Sequence, residues 1–302
     1  MRIPVLATLR GSLTISLFTL NVILWFIPIL IFTFAKLLVP LEGWRKIMSH
    51  ALIACAENWI SFNKLILILT QSIHWEIRGM EQLDRRQWYL MISNHQSWVD
   101  ILALQTVFNR RIPFLKFFIK QQLIWVPFLG IAWWALDMPF MKRYTREYLE
   151  RHPEMRGRDL EATRKACEKF RDTPTTVINF VEGTRSTEHK RSLRESPYRH
   201  LMPPRAGGAA FALGAMGDIL HAVIDVTIVY CDGVPSLWDL CCGRVTRIVV
   251  DVRSEPIESW ITHGDYMEDA EFRSRFQGWL SRRWQQKDEL IGEIIDQTNS
   301  HS

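Results

Sequence analysis

The 302-residue chain has only five cysteines, Cys55, Cys167, Cys231, Cys241 and Cys242, and none stands at the spacing of a metal-binding set. Adjacent Cys241 and Cys242 make a poor structural disulfide, so the reading is reduced thiols in a domain that faces the cytoplasm. There is no internal repeat and no low-complexity tract, so residues 74–302 read as one domain. Charge is missing from one long stretch, Gly11 to Ala35, 25 residues without Asp, Glu, Lys or Arg. As helix this stretch would be about 37 Å long against a hydrocarbon core of about 30 Å. No small-residue cleavage site follows it directly, so it is expected to remain as a membrane segment.

What is present points the same way. The chain is 48% hydrophobic, with 13 Trp and 16 Phe, and carries a formal net charge of +5. Basicity suits either nucleic acid or an anionic membrane. The cations are dispersed and the apolar N-terminus dominates, which favours a lipid bilayer and no nucleic acid. Pro28 should kink the apolar helix and could let it dip and return. The next stretch, Trp44 to Ile73, is helical in pattern but mixes Arg45, Lys46, Glu57 and Lys64 with Leu, Ile and Trp. It is read as an amphipathic helix or the return limb of a membrane-embedded helical hairpin, with a second full span as the alternative. Basic residues flank the first helix on both sides, so charge bias gives no orientation.

Beyond residue 73 short apolar runs alternate with longer polar helical ones, the pattern of an α/β domain with a mixed central sheet flanked by helices. The expected division is a membrane anchor over 1–73 and a catalytic domain over 74–302. Strands are expected at His74–Arg78 (an edge), Trp88–Ser93, Phe114–Lys120, Met138–Met141, Thr175–Val181, Val223–Tyr230 and Val245–Val252. Helices are expected at Ile101–Phe108, Gly157–Arg171, Ala206–Met216 and Glu271–Asp296.

Three clusters of polar residues recur at strand ends. In Asn94-His95-Gln96-Ser97-Trp98-Val99-Asp100 a histidine and a carboxylate stand together at a strand-to-helix turn. Five residues on a regular helix rotate side chains by roughly 500°, leaving them about 140° apart, so His95 and Asp100 can meet only if His95 lies on the turn and Asp100 in the first helical turn. Such a pair can take a proton from a hydroxyl group near neutral pH. The plain alternative is a capping-box variant, Ser97-x-x-Asp100, with His95 a loop residue. The second cluster is Met138-Pro-Phe-Met-Lys142-Arg143, an apolar run ending in two cations, or simply a solvated basic turn. In the third, Val181-Glu182-Gly183-Thr184-Arg185, Gly183 allows main-chain N–H groups to be exposed, Thr184 adds a donor and Arg185 offers a fork suited to phosphate. Its alternative is a surface ion pair of Glu182 and Arg185 around an ordinary turn. Gathered at the carboxyl edge of one sheet, the clusters would place a general base near two or three cations, a site for an anionic substrate bearing a hydroxyl.

On these residues the chain resembles the PlsC-type glycerophospholipid acyltransferases. Asn94, His95 and Asp100 match the Asn-His-x4-Asp motif, Phe140 to Arg143 the hydrophobic run ending in Arg, and Val181 to Arg185 the Glu-Gly-Thr/Ser-Arg motif. A fourth motif usually has Pro within an apolar strand, where Val223 to Ile228 carries Asp225 instead. That departure is similar to the branch of lysocardiolipin and long-chain lysophosphatidate acyltransferases and puts the acceptor in doubt.

The resemblance implies an inner-membrane 1-acylglycerol-3-phosphate O-acyltransferase whose catalytic domain faces the cytoplasm. It implies His95 as general base and Asp100 as its partner, with no metal or resident cofactor. Acyl-CoA or acyl carrier protein would be the donor and a lysophospholipid the acceptor. Lys142, Arg143 and Arg185, with Gly183 and Thr184, would hold the acceptor's phosphate, and Glu182 would orient Arg185 or bind a glycerol hydroxyl. Leu123 to Leu136 would line an acyl channel or form a buried helix pair. Arg110, Arg111, Lys116 and Lys120 would meet lipid heads or donor phosphates. The competing readings are another acceptor, lysophosphatidylglycerol or lysocardiolipin, and a non-catalytic membrane-surface scaffold.

Overall fold

A computed structural model of the chain describes residues 4–141, 151, 152, 167, 170–262 and 264–300. In chain order the elements are α1 (Pro4–Leu38), α2 (Glu42–Thr70), β1 (His74–Arg78), β2 (Tyr89–Ser93), α3 (Val99–Phe108), β3 (Leu115–Phe117) and β4 (Ile119–Lys120). A 3-10 turn (Gln121–Trp125), α4 (Leu129–Ala135), β5 (Phe140–Met141), β6 (Thr176–Phe180), α5 (Glu188–Leu193) and α6 (Ala206–Met216) follow. Last come β7 (Ala222–Tyr230), α7 (Leu237–Cys241), β8 (Arg247–Pro256), α8 (Ser259–Thr262) and α9 (Ala270–Ser300).

The first two helices form the expected hairpin, and both are long and apolar enough to cross a membrane. The reversal falls at residues 39–41 and not at Pro28, which stays inside α1. Its ring removes one amide donor, and the helix continues on either side. Asn21 of α1 donates to the Trp59 carbonyl at 3.0 Å and to Asn63 Oδ1 at 2.9 Å on α2, a buried polar clasp between apolar helices. The outward row of α1, including Leu9, Leu13, Leu20, Leu24, Ile27, Ile31 and Phe34, is exposed. A contiguous apolar surface of this length is stable against acyl chains and not against water.

Both ends of α1 are tied to the rest of the molecule. A Cβ on Gly11 would lie 2.6 Å from Cys242 Sγ, so only glycine lets the helix approach α7 this closely. At the far end Lys36 Nζ meets the Asp137 carboxylate at 2.9 Å. These ties are about 38 Å apart along the helix, so the hairpin lies along the α/β body.

The central sheet is mixed, with strand order β1-β8-β7-β2-β6-β3. Strands β3, β6, β2 and β7 run parallel, β8 runs antiparallel to β7, and β1 is an edge strand parallel to β8. Every residue of β2 and β7 is buried, as central strands covered on both faces require. Alternation sorts their side chains: Tyr89, Met91, Ile224 and Ile228 pack with α3 and with Leu67 of α2. Leu90, Ile92 and Val223 pack with α6 and with Phe276 and Trp284 of α9.

Three expectations need correction. The run Phe114–Lys120 is two strands, β3 and β4, broken at Phe118. Strand β5 pairs with β4 in a separate two-stranded piece and is not a strand of the central sheet. Leu123–Leu136 is not a buried helix pair: Trp125 is 86% exposed, and Phe128 packs edge-on to Phe26 of α1 at 5.0 Å. Most of the Gly157–Arg171 helix lies outside the described residues.

Candidate active site

Strands β2 and β6 are parallel neighbours with Ser93 opposite Phe180, so both release the chain at the same edge of the sheet. Asn94–Asp100 and Val181–Arg185 therefore emerge side by side. The Asn94 side chain stands in for a strand residue: Oδ1 accepts from the Ile228 N–H and Nδ2 donates to the Ile228 carbonyl, both at 2.9 Å. The two loops are further joined by the Ser186 N–H, which donates to the His95 carbonyl at 2.6 Å.

His95 and Asp100 meet. Nδ1 of His95 lies 2.8 Å from Asp100 Oδ2. The carboxylate only accepts, so Nδ1 carries a hydrogen, and in the neutral imidazole Nε2 keeps its lone pair. Nε2 has no hydrogen-bond partner among the described residues, and the side chain is 15% exposed. Phe180 stacks on the ring with centroids 4.1 Å apart, fixing its plane.

The two sequence readings of Asp100 prove to be one arrangement. Besides His95, Oδ2 accepts from the N–H groups of Gln96 at 2.6 Å and Ser97 at 2.8 Å, so the carboxylate that orients the histidine also satisfies the turn before α3. Ser97 Oγ accepts from the Val99 N–H at 3.1 Å and donates to the Pro235 carbonyl. The other Asp100 oxygen accepts from the Tyr230 hydroxyl at 2.5 Å. Burial, then the neighbouring Asp100 charge, holds Tyr230 well above its ordinary range, so it stays a donor.

Glu182, expected to touch the acceptor or Arg185, is fully buried, and both its oxygens are taken by main chain. Oε1 accepts from the His95 N–H at 2.8 Å and Oε2 from the Met202 N–H at 3.0 Å. It is a strut beneath the histidine. Burial pushes its carboxyl up to about 7, and the two N–H groups pull the other way.

Beyond Glu182 the loop turns outward at Gly183, whose φ of +72° lies in the left-handed region. Thr184 Oγ1 accepts from Lys190 Nζ at 3.1 Å, and the same ammonium donates to the Arg185 carbonyl at 3.0 Å. Arg185 is exposed, with its guanidinium 4.9 Å over the Trp98 ring. Lys142 and Arg143 lie outside the described residues. Among the suggested surface bases Lys116 is buried, its ammonium 4.2 Å over the Phe170 ring, and Arg110 faces Asn58 and Glu57. Burial raises Cys167 to about 12 and Cys241 to about 11, so neither is an activated nucleophile.

Sequence reasoning missed Tyr230, Met202 and the role of Asn94 as a strand surrogate. Tyr230 ends a strong strand, and that position was the only signal available for it.

Comparison with known proteins agrees with this geometry. The acyltransferase family model matches residues 74–231. Human 1-acyl-sn-glycerol-3-phosphate acyltransferase gamma is 28% identical over 222 residues, covering 69% of this chain and 53% of the relative. The mouse delta form is 24% identical over 212 residues, 66% of this chain and 51% of the relative. The chain thus spans about half the length of these mammalian relatives. An uncharacterized acyltransferase of Schizosaccharomyces pombe is 23% identical over 305 residues, covering 89% and 82%. The crystal structure of the 1-acyl-sn-glycerophosphate acyltransferase PlsC from Thermotoga maritima superposes with a TM-score of 0.56 at 16% identity, covering 94% of this chain and 97% of that one, and shows the same fold. The family match takes in His95, Asp100 and the Val181–Arg185 loop, and the chain belongs to the acyltransferase family, in keeping with the PlsC-type resemblance of its motifs.

Proposed function

We propose that the protein is a membrane-bound O-acyltransferase that moves a fatty acyl group from an acyl-CoA or acyl carrier protein thioester to the free hydroxyl of 1-acyl-sn-glycerol 3-phosphate, giving phosphatidic acid. The observation that carries this reading is the His95–Asp100 pair, with Nδ1 held at 2.8 Å and Nε2 open. In this mechanism Nε2 takes the hydroxyl proton as the oxygen attacks the thioester carbonyl, and Asp100 steadies the imidazolium. The tetrahedral intermediate collapses to the new ester. The departing thiolate takes the proton back from Nε2, so no acyl-enzyme forms.

Arg185 and the Gly183–Thr184 turn bind the acceptor's phosphate in this reading, with Lys142 and Arg143 as further cations. Lodging the phosphate fixes the hydroxyl against His95, and positioning of this kind lowers a barrier by several kcal/mol, up to about 7–11 in favourable cases. The anchor is assigned to residues 1–73 and the catalytic domain to 74–302. The ties of α1 to the body at Gly11 and at Lys36 support a hairpin that beds into one leaflet in this reading, over one that stands out as a free span. The proposed setting is the inner membrane with the catalytic face in the cytoplasm, where acyl donors and reduced thiols occur.

The test is a panel of acceptors supplied to membranes holding the protein, with labelled acyl-CoA and, separately, labelled acyl carrier protein. Labelled phosphatidic acid from lysophosphatidic acid is the expected product. Turnover of lysophosphatidylglycerol or lysocardiolipin in its place moves the assignment to those acceptors. Failure to acylate any lysophospholipid leaves the scaffold reading.

A further inference from the structure

Four consecutive main-chain N–H groups, those of residues 199 to 202, all end on carboxylates. Asp288 of α9 accepts from Arg199 at 2.8 Å, His200 at 2.7 Å and Leu201 at 3.1 Å, and Glu182 accepts from Met202 at 3.0 Å. One helical turn before Asp288, the Trp284 indole N–H donates to the Met202 carbonyl at 2.9 Å. Residues four apart share a helix face, so α9 grips this segment from one side with a carboxylate and an indole. Asp288 is 8% exposed, and Glu182 and Trp284 are fully buried, so water does not replace these bonds. Between them Lys287 pins α9 to β7, donating to the Val226 carbonyl at 2.6 Å and the Thr227 hydroxyl at 3.0 Å and lying 2.5 Å from the Asp225 carboxylate.

The bonds form one chain of contacts from α9 to the catalytic histidine. Glu182 holds the His95 N–H only as firmly as its second oxygen is itself held. That second partner, the Met202 N–H, is fixed because the three N–H groups before it are fixed. We propose that Asp288 is a positioning residue for acyl transfer, acting through the 199–202 segment and Glu182 to hold the main chain of His95. The inference rests on the reading of His95 as general base. Neutralising Asp288 removes the charge that gathers three donors, the segment relaxes, and Glu182 moves with it. A displacement of about 1 Å at a reacting group is enough to cost on the order of 10²-fold in rate.

The experiment is a double-mutant cycle on the full chain in membranes, reading kcat and both KM values for the wild type, Asp288→Asn, Glu182→Gln and the double variant. Asp288→Asn should lower kcat about 10- to 100-fold and leave each KM within about twofold. In the Glu182→Gln background the same change should have no further effect, because the path is already cut. Arg283→Ala is the control, since it breaks the ion pair of α9 with Glu255 on β8 away from this path. It should lower thermal stability and leave kcat unchanged.

Wild-type kcat in Asp288→Asn would overturn the proposal, and so would a full multiplicative loss in the double variant or an equal loss of kcat in Arg283→Ala. If Asp288→Asn does not fold, Trp284→Phe keeps an aromatic ring in the core and deletes the bond to the Met202 carbonyl, and Trp279→Phe, which trims a buried indole on an earlier turn of α9 away from this path, is the control for the lost volume. A fall in kcat of about threefold at unchanged KM is then expected in Trp284→Phe and not in the control, and unchanged kcat or an equal fall in both overturns the proposal. Active wild type with unaffected variants removes this inference alone, whereas wild type inert toward every lysophospholipid removes the acyltransferase reading and this inference with it.

Discussion

Asp100 is 1% exposed and accepts four hydrogen bonds, whereas Arg185, from the neighbouring loop, is exposed and rests on the Trp98 ring at 4.9 Å. The dyad is held by main chain from two loops, by Tyr230 at the end of β7 and by the Glu182 strut. Among the described residues the cation side has one glycine turn, a threonine held by the Lys190 ammonium, and a guanidinium on a half-exposed indole. Proton transfer demands donors and acceptors already in place, since every reorientation in a buried site adds to the barrier. In the proposed function the second side meets a phosphate on a mobile lipid head, which is served by charge that can follow it. Changes on the dyad side should therefore act on kcat, and changes on the cation side on KM.

The widest break in that contrast is His95→Ala, which should lower kcat by about 10²- to 10⁴-fold while the protein still inserts and folds. Single-turnover acyl transfer in membranes measures it, and near-wild-type turnover would sink the mechanism. Next is Tyr230→Phe, which removes the hydroxyl from Asp100 Oδ1 and leaves a buried acceptor short of a donor. A kcat loss of about tenfold with KM unchanged is expected. On the other side, Arg185→Ala should raise KM for a phosphate-bearing acceptor about five- to tenfold with little change in kcat. An equal effect on a neutral acceptor would remove Arg185 from the phosphate site.

The smallest expected effect is a pH slope in stability. The carboxyl of Glu182 is raised to about 7 in the folded protein, so its contribution is fully present below the ordinary carboxylate range and is lost as pH rises through about 7. Thermal midpoints should therefore fall by several degrees between about pH 4.5 and about pH 7.5, and Glu182→Gln should flatten that part of the curve. A slope unchanged in the variant would assign it to other groups.

The dyad was legible because its two members are five residues apart, and a turn followed by a helix start is a local event. Gly183 was legible for the same reason, since a strand ending in Glu-Gly needs a left-handed residue to leave the sheet. The unread parts are long-range. Tyr230 lies 130 residues from Asp100, and Asp288 lies 87 and more from the N–H groups it gathers. Asp225, which stands where a proline was expected, sits in a fully buried strand and is paired with Lys287 across the interface with α9, a partner 62 residues away that no local reading supplies. Burial holds that lysine below its ordinary range, with Asp225 pulling against the shift. The pair ties α9 to β7. Pro28, a helix breaker by local chemistry, lies inside the 35 residues of α1, and the chain reverses instead at 39–41.

The amide of Asn94 makes one more rung on a strand whose backbone has already ended. Both of its bonds fall on Ile228, so the sheet sets the direction of the next residue while leaving that residue's own peptide unclaimed. His95 can therefore give its N–H to Glu182 and its carbonyl to Ser186, two partners from a different loop. A side chain that counterfeits backbone separates two demands that normally conflict, rigid aim and freedom to leave the ladder. Its loss would blur the aim without touching any reacting atom.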